Sequence, residues 1–218
     1  MRQKHKGAKV NRFEPLNTME ITTSAMILTC FQNVGCFQFC EKVQQVQSRP
    51  ELTRLFVLNL HNKQVNIAGL YFELSSNAIA HATGIPNVGE KWFKREKLDI
   101  SCYEPFLKPR YKEGCKTIFH FSHMLERYAP LMRVIMKYFT CEGRYSRIYS
   151  YHIRLLMHFT RVNMLHLPYC LYRSINKMSS VVQKRNYSQQ MKSLFHHSLI
   201  KIVVLHQLEK KGIPWECS

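Results

Sequence analysis

Four arginines and a tyrosine recur at spacings of three, four and seven residues in the second half of the chain. They are Arg144, Arg147, Tyr151, Arg154 and Arg161. Side chains three or four residues apart share one face of an α-helix, so we expect a helix around residues 145–161 that projects them together. Arginine binds phosphate through paired hydrogen bonds, and a tyrosine ring can stack on a base. The pattern predicts a nucleic-acid-binding stripe, although an ordinary solvated helix face has the same spacing.

The stripe lies in a long segment that has no acidic residue. No Asp or Glu occurs between Glu142 and Glu209, whereas ten Lys or Arg and six His do. The whole chain has 32 basic and 14 acidic residues, a formal net charge of +18. Such a field attracts nucleic acid, anionic lipid or an acidic protein.

A basic arm at the start of the chain is a second candidate for phosphate binding. Residues 1–18 carry Lys4, Lys6 and Lys9 among their cations, and we expect this arm to be flexible. It could follow a phosphate backbone, act as a nuclear address or only add solubility.

Residues that several enzyme classes require are missing. Asp99 is the only aspartate, whereas two-metal nucleases, polymerases and transposases need carboxylate clusters and aspartic proteases need two adjacent Asp. The phosphate-loop patterns GxGxxG and GxxxxGK[ST] are both absent. We therefore expect a protein that is not an enzyme, with no catalytic residue and no cofactor.

Three cysteines lie close together, but their spacing does not favour a metal site. Cys36 and Cys40 are one helical turn apart and could share an ion, yet no CxxC pair occurs in the chain. We expect buried thiols that pack as small apolar groups, and no metal. Trp92 and Phe93 stand among basic residues; we expect them to anchor a loop on the core rather than grip a single strand.

Hydrophobic periodicity and capping residues predict a mainly α fold, a helical bundle with a small β-hairpin near residues 63–73 that turns at Ala68-Gly69. Helices are expected over 22–47 with a break near Gly35, from Pro50, from Ser75 or Ser76 to Gly84, from Ser122, from Pro130 to Gly143, over 145–161, from Pro168 to Arg185, and over 191–211. A strand over Leu199–Leu205 is the alternative within the last of these. Gly and Pro residues in 84–116 predict a loop-rich connection between an N-terminal subdomain, 19–116, and a C-terminal helical bundle, 117–218.

Several short motifs together resemble the plant transposon protein domain, which is found in retroelement-derived plant sequences. They are Ala82-Thr83-Gly84-Ile85-Pro86, Gly89-Glu90-Lys91-Trp92-Phe93-Lys94, Gly143-Arg144-Tyr145-Ser146-Arg147, the helix from Tyr149 to Phe159, Leu167-Pro168-Tyr169 and Ser193-Leu194-Phe195-His196. The resemblance covers about residues 24–211 and implies a plant source and a mobile-element history. It brings no catalytic residues with it, and the single Asp opposes transposase activity.

These observations favour a non-catalytic protein that binds nucleic acid, DNA or RNA, without sequence preference. One alternative is an interaction or assembly module, like a capsid protein, whose basic surface meets an acidic protein. Another is a decayed mobile-element remnant with no selected function. No segment approaches the roughly 20 apolar residues of a membrane helix, and no secretory signal is visible. We therefore expect no membrane partner and an intracellular location, the nucleus rather than the cytoplasm; the oligomeric state is left open.

Overall fold

The computed structural model describes residues 25–47, 49–92, 99–111, 118–140, 147–160, 164–184 and 196–214. The α-helices within these residues are α1 (Ala25–Asn33), α2 (Phe37–Gln45), α3 (Pro50–Leu58), α4 (Ser76–Thr83), α5 (Ala129–Ile135), α6 (Ser150–Phe159), α7 (Leu167–Lys184) and α8 (His197–Lys210). The strands are β1 (Leu60–His61), β2 (Gln64–Ile67), β3 (Leu70–Glu73), β4 (Ile118–His120) and β5 (Arg147–Tyr149). The predicted mainly α fold with a small hairpin is confirmed.

The residues predicted to start, end or interrupt helices in the first half of the chain do so in the structure. Gly35, at φ +69°, separates α1 from α2, and a Cβ there would lie 2.6 Å from Pro86. Pro50 opens α3, where its missing N–H costs nothing. The hydroxyl of Ser75 accepts the amide of Ala78 at 3.1 Å and starts α4, which ends at Gly84 in the left-handed region.

The hairpin is part of a three-stranded antiparallel meander. Strands β2 and β3 pair from Gln64↔Glu73 to Ile67↔Leu70, with the predicted turn at Ala68-Gly69. Both turn residues have positive φ, and the Asn66 side chain accepts the Gly69 amide at 3.1 Å. A second two-residue turn at Asn62-Lys63, also with positive φ, adds β1 to the sheet.

The second half departs from the expectation of helices alone. Strands β4 and β5 pair antiparallel between residues 118–120 and 147–149, so a strand precedes α6 where helix 145–161 was expected to begin. The helix expected from Ser122 is instead two 3-10 turns, Phe121–His123 and Glu126–Tyr128. Helix α5 continues as a π-helical turn, Met136–Thr140. These elements are three to five residues long, too short for periodicity to show.

The alternative of a strand over Leu199–Leu205 is wrong, because these residues belong to α8, a helix of the core. Buried side chains lie all around it, and α8 contacts α2, α3 and α4. A helix buried on every side has no amphipathic pattern, and its Ile and Val residues then resemble those of a strand.

The buried residues that the structure describes form one hydrophobic core with members from both predicted subdomains, 19–116 and 117–218. Helices α7 and α8 pack against α3 and α4 from the first half. Four phenylalanines join the N-terminal helices to the π-helical turn and α6, with ring centroids 4.6–6.1 Å apart. They are Phe31, Phe39, Phe139 and Phe159. Packing is therefore continuous between the two predicted parts.

Candidate nucleic-acid interface

The predicted five-residue stripe is divided among different elements and regions. Arg147 lies on β5, whereas Tyr151 and Arg154 lie on α6, which begins at Ser150. The prediction that Arg147 and Arg154 share a helix face is therefore wrong, because residues 147–149 form strand β5 and pair with β4. Arg144, Arg161, Lys4, Lys6 and Lys9 lie outside the described residues.

Arg154 is a structural cation. Its side chain is only 11% exposed, its guanidinium lies 4.8 Å from the centre of the Trp92 ring, and Nη1 is 3.7 Å from a Glu90 carboxylate oxygen. Glu90 comes from outside the acid-free segment. An arginine that is buried against a ring and a carboxylate is unavailable to phosphate without unpacking.

Gly89 makes the Arg154 contact possible by letting two distant segments meet. The Glu90 amide donates to the carbonyl of Met164 at 2.9 Å, and the His166 amide donates to the carbonyl of Glu90 at 2.9 Å. At Gly89, φ is +113° and a Cβ would lie 2.6 Å from the Leu165 carbonyl carbon. Trp92 is buried, as expected of a loop anchor, whereas Phe93 lies outside the described residues.

Tyr151 is half-buried and stacks inside the protein rather than projecting freely. Its ring is 5.5 Å from that of Tyr149 and 4.2 Å from that of His152. It also lines a cavity of about 30 Å³, together with Trp92, Cys170 and Ser174. That volume has room for about one or two water molecules, not for a substrate.

A group of described residues that combines cations with accessible rings lies around β4, β5 and the adjoining 3-10 turns. We call this group the basic–aromatic surface: Lys108, Tyr111, His120, Phe121, His123, Arg127, Arg133 and Arg147. Arg147, His120, Arg127 and Arg133 are exposed, and the other members are half-buried.

Backbone pairing assembles the surface from three parts of the chain. His120 and Arg147 are direct partners across β4 and β5, so their side chains share one face of the ladder. The Lys108 amide donates to the carbonyl of His123 at 2.9 Å, which brings the 3-10 helix Pro109–Tyr111 alongside. Residues far apart in sequence thereby become neighbours.

The rings of this surface contact one another, and two of its arginines lie over aromatic rings. Tyr111 and His123 lie 3.8 Å apart and nearly parallel, at 12°, and His120 follows at 5.5 Å from His123. The Arg133 guanidinium lies 5.3 Å from the Phe121 ring centre, and that of Arg127 lies 4.8 Å from the ring of Tyr128. Lys108 is 3.7 Å from Glu126, whose side chain is 93% exposed. A water-exposed ion pair of this kind is weak and would exchange readily for phosphate.

A second row of cations lies on the outer face of α7. Arg173, Lys177 and Lys184, four and seven residues apart, are all exposed. The apolar side chains of α7 are buried on the opposite side. The sequence pattern contained this row, but only the burial of its helix shows which side faces water.

Other cations of the chain serve the fold. Lys42 donates to the carbonyl of Ala82 at 3.0 Å, and the buried Lys201 donates to that of Gln47 at 3.3 Å. Lys211 donates to the carbonyl of Tyr71. Lys42 and Lys201 thus lie at or near the C-terminal ends of α4 and α2, where the helix dipole favours positive charge.

Two of the three clustered cysteines are buried as expected, whereas the third, Cys30, is half-buried. Cys36 and Cys40 are buried in the core. Burial raises the pKa of both thiols and raises that of Cys170 to about 12, so the described cysteines with resolved shifts are poor nucleophiles. Within the described part of the chain, no three His, Cys, Asp or Glu side chains converge as metal ligands.

Three buried histidines act as hydrogen-bond acceptors around α6 and α7. The Nδ1 atoms of His152, His158 and His166 accept the amides of Tyr149, Leu165 and Tyr169 at 3.0–3.2 Å. Each bond needs an unprotonated Nδ1. Burial, with a smaller contribution from Lys91, lowers the pKa of His166.

The comparisons with known proteins identify no relative. No family model, no curated protein and no solved structure matches the chain. The resemblance to the plant transposon protein domain stays a prediction. None of the helices in the described ranges combines the length and apolar character needed to cross a membrane.

Proposed function

We propose that this protein binds nucleic acid without sequence preference and without catalysing a reaction. The observation that carries the proposal is the basic–aromatic surface, where Arg127, Arg133 and Arg147 stand exposed among rings. The formal charge of +18 extends the attraction beyond this surface. A row of arginines that meets phosphate gives affinity independent of base identity.

The geometry of the surface supports phosphate contact better than it supports chemistry. Its arginines reach water from three elements: Arg147 from β5, Arg127 from the 3-10 turn Glu126–Tyr128 and Arg133 from the last turn of α5. The cavity near Tyr151 is too small for a substrate. The α7 row offers a second set of exposed cations, so the two sets can be compared in one experiment.

A salt titration of binding tests the proposal. Each phosphate contact lowers log K by about 0.9 per unit of log salt on duplex DNA, or about 0.7 on a single strand. Replacing Arg133 and Arg147 with Gln should weaken binding and flatten the slope by about 1.8 on duplex DNA, which is twice 0.9. Fluorescence anisotropy at several chloride concentrations measures both quantities. A salt-independent affinity would contradict the proposal.

The α7 row provides a matched control with the same loss of charge. Arg173→Gln with Lys177→Gln removes two exposed cations from a different surface. If the basic–aromatic surface is the contact, this pair should change the slope less than Arg133→Gln with Arg147→Gln. Equal changes would mean that the net field of the whole chain, and not this surface, holds the ligand.

The proposal places the chain with nucleic acid in the cell, and the basic arm with Lys4, Lys6 and Lys9 favours the nucleus. Imaging a fluorescent fusion with and without residues 1–18 tests this location.

Light scattering separates binding from the assembly alternative, because particles that form without added nucleic acid would favour a self-assembling module.

A further inference from the structure

The rings of the basic–aromatic surface do more than its charges require. Phosphate contact needs only the arginines and Lys108, yet the surface also holds four rings: Tyr111, His120, Phe121 and His123. Tyr111 and His123 are stacked, with centroids 3.8 Å apart and planes at 12°, and the His120 ring lies 5.5 Å from that of His123 at an angle of 57°. His120 is exposed, and Tyr111, Phe121 and His123 are half-buried.

Stacked rings next to arginines match the way in which proteins hold unpaired bases. Bases of a single strand stack on aromatic rings and guanidinium planes, because every base offers a π-face. The Arg133 guanidinium over Phe121 provides such a plane, and His120 lies directly across the ladder from Arg147. In a duplex the bases are stacked on each other, so the same rings would face sugar and phosphate and would add little to the binding affinity.

We propose that this surface prefers single-stranded nucleic acid and that its rings stack on unpaired bases while its arginines neutralise the backbone. The inference rests on the proposed function and names its ligand class. Affinity then has two separable parts: a charge-dependent part shared by every strand, and a base-dependent part that only unpaired bases supply.

An abasic strand separates the two parts, since it keeps the phosphates and lacks the bases. Anisotropy should show a mixed-sequence single strand binding about tenfold tighter than an abasic strand of equal length, from about one stacked base. Tyr111→Leu with Phe121→Leu should remove that preference and leave the salt slope unchanged, because no charge is lost. Tyr71→Leu is the matched control: it deletes a ring that is 60% exposed on β3, and should keep the preference.

Two further variants guard against a folding defect. Tyr111→Phe with Phe121→Tyr keeps both rings and should retain the preference, and His120→Ala removes an exposed ring and should reduce it. Circular dichroism verifies that each variant is folded. Equal, salt-dependent affinity of the normal protein for the normal and abasic strands overturns the inference but spares the proposed function. Absence of salt-dependent binding to any strand overturns both.

Discussion

At the scale of single residues, position in the fold decides what each cation does. Arg154 lies against Trp92 and Glu90 with 11% of its side chain exposed, whereas Arg147, seven residues earlier, is exposed on a strand. Lys201 is buried and donates to a backbone carbonyl. Fewer cations are therefore accessible to a ligand than the formal charge suggests, because burial and carbonyl contacts hold several of them against the protein.

Histidine protonation at His166 should make stability depend on pH. The pKa of His166 is lowered from 6.5 by burial and then by Lys91, so the unfolded chain binds a proton more readily than the folded one. The stabilisation is fully present above pH 6.5 and is lost as the pH falls toward the lowered pKa. Urea unfolding above and below pH 6.5 should show this loss.

The variant His166→Asn isolates the contribution of this side chain. Asparagine can still accept the Tyr169 amide at the start of α7 but does not titrate. We expect the free energy of unfolding of this variant to fall less on acidification than that of the normal protein. An equal fall would assign the effect to other groups, such as His206, whose pKa burial and Lys210 also lower.

At the scale of elements, α7 and α8 complete the hydrogen bonding of elements from the first half. The Gln183 amide nitrogen lies 3.1–3.2 Å from the carbonyls of Val57, Leu58 and Leu60, which share its two N–H donors. Ser179 donates to the carbonyl of Val57 at 2.6 Å, so α7 covers carbonyls at the end of α3 and the start of β1. The Gln207 side-chain amide both donates to and accepts from the backbone of Glu73. It covers the outer edge of β3, which protects that edge from pairing with another chain.

Replacing Gln183 should destabilise the fold through the end of α3. Gln183→Ala removes the donor from three carbonyls and should cost about 1 kcal/mol of unfolding free energy. Gln183→Glu should cost more, because it sets a carboxylate against carbonyl oxygens. Chemical denaturation measures both, with the exposed neighbour Lys184→Ala as the control that should change little. A Glu variant as stable as the normal protein would contradict this account.

At the scale of the whole molecule, 32 basic residues against 14 acidic ones leave the folded chain under self-repulsion. Compaction brings like charges together, and salt screens them over about 10 Å at 0.1 M. The melting temperature should therefore rise as sodium chloride is added at low ionic strength, with sucrose of equal osmolality as the uncharged control. A melting temperature that falls with chloride would show that ion pairs outweigh the repulsion.

The elements that the sequence predicted well are those with local causes. Ser75 and Gly84 define the ends of α4, Pro50 starts α3, and Ala68-Gly69 turns the hairpin, because each acts on its own backbone or on residues within one turn. The buried thiols and the buried Trp92 also followed from their residue types. The β4–β5 ladder did not, since its two strands are three residues each and are separated by α5.

The candidate site was only partly predictable for the same reason. Arg147 was identified from its spacing with Arg154. In the structure Arg147 lies opposite His120 on the β4–β5 ladder, whereas the Arg154 side chain is largely buried. Tyr111, Phe121 and Arg133 had no sequence signal that linked them, because ring contacts and backbone pairing from separate segments bring them together.

The sequence by itself determined the positive charge, the lack of clustered aspartates, the mainly helical content and the local caps and turns. These depend on composition or on neighbours within a few residues. Only the tertiary structure decided which cations face water, because exposure depends on what the rest of the chain packs against. The basic–aromatic surface exists because long-range pairing gathers three segments around two short strands.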